Sequence, residues 1–230
     1  MVKETKTKAD PRLDAMATAG MHFGAPKSRR HPSTKNFVFG VKNNFEIIDL
    51  DKTRTSLEKA KEFVSALGKE GKVLLLVGNK SEARDVIKQA ALRAGLPYVA
   101  LRWMGGTLTN FDEIRKRVDR LGELEAREAS GDLGKYTKKE RARISHEVKN
   151  LKRFFSGITE MQTMPSAMFV IDSDKEEIAL TEARRIHIPT ISLSSTDCNI
   201  NDVNYPIVGN DKAVASIKYI VNEIITAYKG

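Results

Sequence analysis

The chain has 230 residues, 40% of them apolar and 30% charged, so it can bury one sizeable core and lacks the composition of a disordered or fibrous protein. No apolar run approaches the ~20 residues that span a bilayer. The charged opening has no apolar stretch behind it and does not read as a secretory signal, and the single cysteine, Cys198, excludes an internal disulfide and points to a reducing cytoplasm. The formal net charge of +9 is unevenly spread: residues 1–42 hold nine Lys and Arg against three acids and residues 112–153 hold thirteen against nine, whereas residues 154–230 hold six against ten. Cations in excess where the chain looks least like core point to a polyanionic partner, nucleic acid foremost.

In chain order, the first nine residues are polar. Asp10-Pro11 offers an N-cap and a first-turn proline for a short helix over residues 13–19. Residues 24–36 read as an irregular basic segment with two prolines. Phe37-Val38-Phe39-Gly40 and Phe45-Glu46-Ile47-Ile48-Asp49 read as extended, with Asn43-Asn44 as turn residues between them, so a β-hairpin is expected. Helices follow over residues 51–67, 81–94 and 175–186, and a last one carries Val214, Ile217, Ile220, Val221 and Ile224 on one face. Between them lie four apolar runs of strand length, at residues 73–77, 98–101, 167–171 and 190–193. Runs without polar alternation are strands covered on both faces, so the expected fold is α/β, a parallel sheet with helices on either side. Residues 111–155 interrupt this alternation with two amphipathic stretches, one through Phe111, Ile114, Val118, Leu121 and Leu124, the other through Ile144, Val148, Leu151 and Phe155. The turn cluster Ser130-Gly131-Asp132-Leu133-Gly134 separates them, and an antiparallel helical hairpin projecting from the core is expected. The division is thus a basic N-terminal segment over 1–42, a core over 43–110 and 156–230, and a hairpin insertion over 111–155.

The candidate sites favour binding over catalysis. His22, His31, His146 and His187 have no metal-ligand spacing, Cys198 has no neighbouring histidine, and no catalytic or metal-ligating set is legible. Asp172 and Asp174 read as the N-terminal acids of the next helix. Gly78-Asn79-Lys80-Ser81 follows a buried strand and opens a helix, a place suited to an anion, but it lacks the glycines of a complete phosphate loop. Arg102-Trp103-Met104-Gly105-Gly106-Thr107-Leu108-Thr109-Asn110 gathers guanidinium, indole, hydroxyl and amide groups around a Gly-Gly pair. There Arg102, Trp103, Thr107 and Asn110 are RNA-contact candidates, although Trp103 packing under the loop is an equal reading. Lys27, Arg29, Arg30, His31, Lys35 and Lys42 supply the N-terminal candidates, and Arg115, Arg117, Lys138, Lys139 and Arg141 those of the hairpin, whose charges also suit a plain coiled-coil surface. Two competing readings stay open: a nucleotide-binding enzyme using residues 78–81 with Asp172, and a protein-docking scaffold using the hairpin.

Several stretches together carry a family resemblance. Ala19-Gly20-Met21-His22-Phe23-Gly24 is followed in order by Phe37-Val38-Phe39-Gly40-Val41-Lys42-Asn43-Asn44 and Ile47-Ile48-Asp49-Leu50-Asp51-Lys52-Thr53. Next come the stretch at residues 102–110, Met164-Pro165-Ser166-Ala167-Met168-Phe169-Val170-Ile171-Asp172 and Ile207-Val208-Gly209-Asn210-Asp211. As a set they resemble the bacterial-type second proteins of the small ribosomal subunit, over about residues 13–228. The resemblance implies a flavodoxin-like three-layer α/β/α core with a protruding helical hairpin. It also implies a structural role with ribosomal RNA and neighbouring ribosomal proteins as partners, among them the large first protein of that subunit. No cofactor, membrane or homo-oligomer comes with it, and the place is the cytoplasmic ribosome. The sequence departs from the family's usual pattern at Ala25-Pro26, at Arg30-His31-Pro32-Ser33-Thr34-Lys35 and at Thr196-Asp197-Cys198-Asn199-Ile200, which touches individual contacts of the first loop. Reversing the charge of Arg29 and Arg30 is expected to weaken association and flatten its salt dependence, since each neutralised phosphate contributes a slope of ~0.7–0.9; an unchanged slope would count against a phosphate contact there.

Overall fold

The computed structural model describes residues 10–130 and 136–230; the polar opening and most of the turn cluster expected at residues 130–134 lie outside the described residues. Five parallel strands form the main sheet: β4 (Leu74–Val77), β5 (Tyr98–Val99), β6 (Ala167–Ile171), β7 (Thr190–Ser194) and β8 (Tyr205–Val208), in the order β5-β4-β6-β7-β8. Because successive side chains leave opposite faces of a strand, the same strands build two cores. Leu74, Leu76, Phe169, Ile171, Ile191 and Leu193 pack on one face against α2 (Leu50–Lys69), α3 (Ser81–Ala94) and α7 (Val214–Lys229). Leu75, Val77, Met168 and Val170 pack on the other against α6 (Glu177–Arg185), Trp103 and the base of the hairpin. This is the three-layer α/β/α arrangement expected from continuous apolar runs.

Capping follows local chemistry. Asp10 caps α1 (Pro11–Thr18), accepting from the Arg12 N–H at 3.0 Å. Gly95 ends α3 at φ +67°, a left-handed position that suits glycine. The hairpin helices are α4 (Phe111–Ala129) and α5 (Lys138–Phe155). Ile114, Val118 and Phe155 belong to the sheet's second core, whereas Leu121, Leu124 and Val148 form a separate small cluster with Ile144 and Leu151. The inner turns therefore rest on the body, and the outer turns pack on each other.

Two readings of the sequence need correction. Residues 24–36 are not wholly irregular: β1 (Phe23–Pro26) joins β2 (Val38–Lys42) and β3 (Phe45–Ile48) in a second, antiparallel sheet of order β1-β3-β2, and two short 3-10 turns link β1 to β2. The expected β2–β3 hairpin is present, with Asn43 and Asn44 at φ 51° and 66°, as a tight hairpin turn requires. The main sheet also has a fifth strand, β8, which the sequence reading lacked. Pro206 sits within it; proline removes a backbone donor, which disfavours a central strand and is tolerated at an edge, where β8 lies. In addition β5 ends at Val99, two residues earlier than expected.

A close contact between helices rests on Gly68 of α2, where a Cβ would come 1.9 Å from the Tyr228 carbonyl oxygen of α7. Gly68→Ala should therefore destabilise the protein by about 1–3 kcal/mol through overpacking. Gly122→Ala, in the exposed part of α4 with nothing near the new methyl, should stabilise it by about 0.5–1 kcal/mol. Urea unfolding midpoints that move in the same direction for both variants would contradict this packing.

Candidate nucleic-acid interface

In the N-terminal segment, Lys27, Arg29, Lys35 and Lys42 are exposed. Arg30 differs. Its guanidinium lies 3.4 Å from the Glu46 carboxylate, which is fully buried and has no hydrogen-bond partner among the described residues. Removing one member of such a pair strands the other charge, so Arg30 is held by the fold. The signal was present in the sequence: Glu46 shares its face of β3 with Ile48 and so faces inward. His31 is also engaged, its Nδ1 lying 2.7 Å from the Ser33 hydroxyl as the cap of a 3-10 turn, while its N–H donates to Thr196 O at 2.9 Å. The clean charge reversal in this segment is consequently Arg29→Glu alone.

The loop over residues 102–110 is organised around a carboxylate from α6. Glu182 accepts from the Trp103 indole N–H at 3.1 Å, from the backbone N–H of Gly106, Leu108 and Thr109 at 2.8, 3.0 and 3.2 Å, and from the Thr109 hydroxyl at 3.3 Å. Gly106 makes this wrap possible at φ +88°. Converging N–H groups form an anion nest, and here the anion is the protein's own. Burial alone would raise the Glu182 carboxyl, but the donors, led by the Leu108 N–H and the Trp103 indole, outweigh it and hold the carboxyl below its ordinary value. Trp103 is 6% exposed and Thr107 2%, the Thr107 hydroxyl donating to Met104 O. Both face inward. Arg102 and Asn110 stay at the surface, where the core passes into α4.

The loop over residues 78–81 lies where the strand order reverses between β4 and β6, the place where doubly wound sheets take ligands. It is filled from within. Glu176 accepts from the Asn79 N–H at 2.9 Å and the Asn79 side-chain amide at 2.7 Å. The Lys80 ammonium sits 3.0 Å from Asp172 and 3.2 Å from Asp211. Burial would lower the Lys80 pKa, but the charges of Asp211 and Asp172 outweigh it and raise it. Asp172, at φ +70°, also lies 3.6 Å from the Cys198 sulfur. The ligand atoms of Asp172, Cys198 and Asp211 fall within 4.8 Å of one another, a buried group that sequence spacing did not bring together. Its counter-cation is Lys80, and burial, with the nearby Asp172 charge, pushes the Cys198 thiol up to about 12, far from a thiolate. Two aspartates on the one lysine leave no cation free for a phosphate, which counts against the nucleotide-enzyme reading.

On the hairpin, Arg115 is engaged in the fold: it donates to the carbonyls of Thr159 and Met161 at 3.0 and 3.1 Å and pairs with Asp119 at 2.9 Å. Arg117, Lys138, Lys139 and Arg141 are exposed, and none forms an ion pair among the described residues. The last three occupy the first turn of α5, whose start is closed by a capping box between Thr137 and Glu140. Cations at a helix N-terminus oppose the helix dipole, so this cluster costs local stability.

The buried acids generate a pH prediction. Burial, above all, raises Glu176 to about 7 and Asp211 to about 6. A carboxyl whose folded pKa is raised contributes stability that is fully present below its ordinary value and is lost as pH rises through the folded value. For Glu176 that window runs from the ordinary 4.5 up to about 7. Glu176→Gln should remove its share of the loss, its amide still meeting Asn79, whose Oδ1 is otherwise without a partner. Thermal midpoints from pH 5 to 8 should fall more steeply for the wild type than for the variant, and parallel curves would refute the assignment.

Comparison with known proteins gives the family. The sequence matches the family described as ribosomal protein S2 over residues 16–230. It is 42% identical to the small ribosomal subunit protein uS2 of a Thermus thermophilus strain over 207 residues, covering 90% of this chain and 81% of that protein. It is 42% identical to the protein of the same name from Coprothermobacter proteolyticus over 215 residues, with 94% and 80% covered. For the Nocardia farcinica uS2 protein the identity is 43% over 215 residues, with 94% and 75% covered. Among the described residues no helix is long and apolar enough to cross a membrane. Matched from residue 16 to its last residue, the chain belongs to the ribosomal protein S2 family.

Proposed function

We propose that the chain is a structural constituent of the small ribosomal subunit that binds ribosomal RNA and neighbouring ribosomal proteins, supports subunit assembly and catalyses no reaction. The observation that carries this reading is the division of the cations. Arg30, Lys80 and Arg115 are consumed inside the fold, while Lys27, Arg29, Lys35, Lys42, Arg117, Lys138, Lys139 and Arg141 stand exposed in two regions. Surface cations free of internal carboxylates suit the phosphates of a folded RNA. Arg102 and Asn110 stand at the junction between core and hairpin, while Trp103, Thr107 and His31 serve the fold first. The body over 43–110 and 156–230 is the rigid support, the segment 1–42 and the hairpin 111–155 are the arms, and the working place is the cytoplasmic ribosome.

For protein neighbours, the large first protein of the subunit among them, the supporting feature is the exposed apolar side chains of the small sheet, Phe23, Phe39, Val41 and Phe45, 49, 81, 47 and 50% exposed. An exposed apolar set of this kind marks a contact surface. Sedimentation of lysate on sucrose gradients tests the whole reading: the chain should travel with the small subunit and be released as salt rises. Replacing Lys138, Lys139 and Arg141 together by Gln should bring release at lower salt and make the slope of log affinity against log salt shallower by about 2.1–2.7. Migration of the wild type only as free protein would overturn the proposal.

A further inference from the structure

A third group of cations lies at the root of the hairpin, away from the exposed cations already named. At the β5 edge of the main sheet, α3 and the last turn of α5 enclose a cleft of about 180 Å³ over Tyr98. Arg84, Lys88 and Arg153 line it against one acid, Asp85. The Arg84 Nε donates to the Asn79 carbonyl at 2.9 Å, which fixes the stem of that side chain while its terminal nitrogens have no partner among the described residues. The Arg153 guanidinium carbon lies 5.4 Å from the centre of the Phe154 ring, a cation resting on an aromatic face. Neither Lys88 nor Arg153 forms an ion pair among the described residues.

Cations crowded into one recess repel each other, and the arrangement is relieved by an anion. Guanidinium groups hold phosphate oxygens through paired N–H donors, whereas the two rings are already in use: the Arg153 guanidinium lies over Phe154, and the Tyr98 ring packs against Gly157. A carboxylate from a neighbouring protein brings one charge to three cations, whereas a run of phosphates brings several. We infer that this cleft receives the phosphodiester backbone of ribosomal RNA, its phosphate oxygens between Arg84, Lys88 and Arg153. The inference rests on the ribosomal reading above and adds a third contact, at the root of the hairpin.

The test is rebinding of the full chain to small subunits stripped of it, measured against salt. Lys88→Gln combined with Arg153→Gln removes two exposed charges, and an unchanged unfolding midpoint shows that the fold is kept. The slope of log affinity against log salt should become shallower by about 1.4–1.8, so a fourfold rise in salt costs the wild type roughly sevenfold to twelvefold more affinity than the variant. An unchanged slope overturns the cleft. A second measurement identifies the partner. Cys198 is the only cysteine and is buried, so an iron chelate can be tethered selectively at Asp85→Cys in the cleft or at Ser145→Cys on the hairpin. RNA backbone cleavage at discrete nucleotides from position 85 is the expected result. Cleavage from position 145 but not from 85 overturns the cleft alone, and cleavage from neither overturns the ribosomal-RNA reading itself.

Discussion

The Glu182 carboxylate ties the loop over residues 102–110 to α6, and α6 is packed on the second face of the parallel sheet. Everything from Asn110 outward takes its direction from that loop, because α4 starts immediately after it and the Asn110 N–H bonds back to Gly106 O at 2.8 Å. Five donors on one side chain make a rigid joint from a stretch that would otherwise be a glycine-rich hinge. The hairpin is thus attached twice, by polar contacts to Glu182 and by apolar contacts of Ile114, Val118 and Phe155 with the sheet core. A cationic arm meets a fixed arrangement of phosphates only if its own direction is fixed, and this joint supplies that at its root.

Two uses of charge run through the molecule. Inside, charges are matched: Arg30 with Glu46, Lys80 with Asp172 and Asp211. An ion pair on a buried carboxylate contributes little net stability but is costly to break, so these pairs fix geometry more than they strengthen the fold. Outside, cations at the start of α5 are placed against the helix dipole and against each other. The position where a related architecture would hold a nucleotide is closed by the chain's own acids, and the positive surface is moved to the periphery.

Elements built on local periodicity were legible in the sequence. The helix over residues 81–94 and the strand over 167–171 match the observed bounds, because burial on one helical face or on both strand faces is written into neighbouring residues. β8 was not legible, since Pro206 argues against a strand unless the edge position is known. The site was less legible than the fold. Arg29 and Arg30 are adjacent and chemically equal in the sequence, yet only Arg30 meets Glu46. Arg115 and Arg117 differ in the same way, because Arg115 alone reaches the carbonyls of Thr159 and Met161. Glu182 is more than seventy residues from every group that it holds, a separation that leaves no local mark. Periodicity reports which way a side chain faces; it does not report which partner arrives from elsewhere in the chain.

The two ends of the main sheet bear on the protein's life before assembly. An open strand edge invites pairing with another chain. At the β5 edge the Tyr98 N–H is bonded to the Gly157 carbonyl at 2.9 Å, and Gly157 lies so close that a methyl group there would fall 2.1 Å from the Tyr98 oxygen. At the other edge β8 is four residues long and carries Pro206, which has no N–H to offer a ladder. With both edges closed in this way the main sheet offers little backbone ladder to a second chain, so contact with other molecules falls to side chains and not to strand pairing.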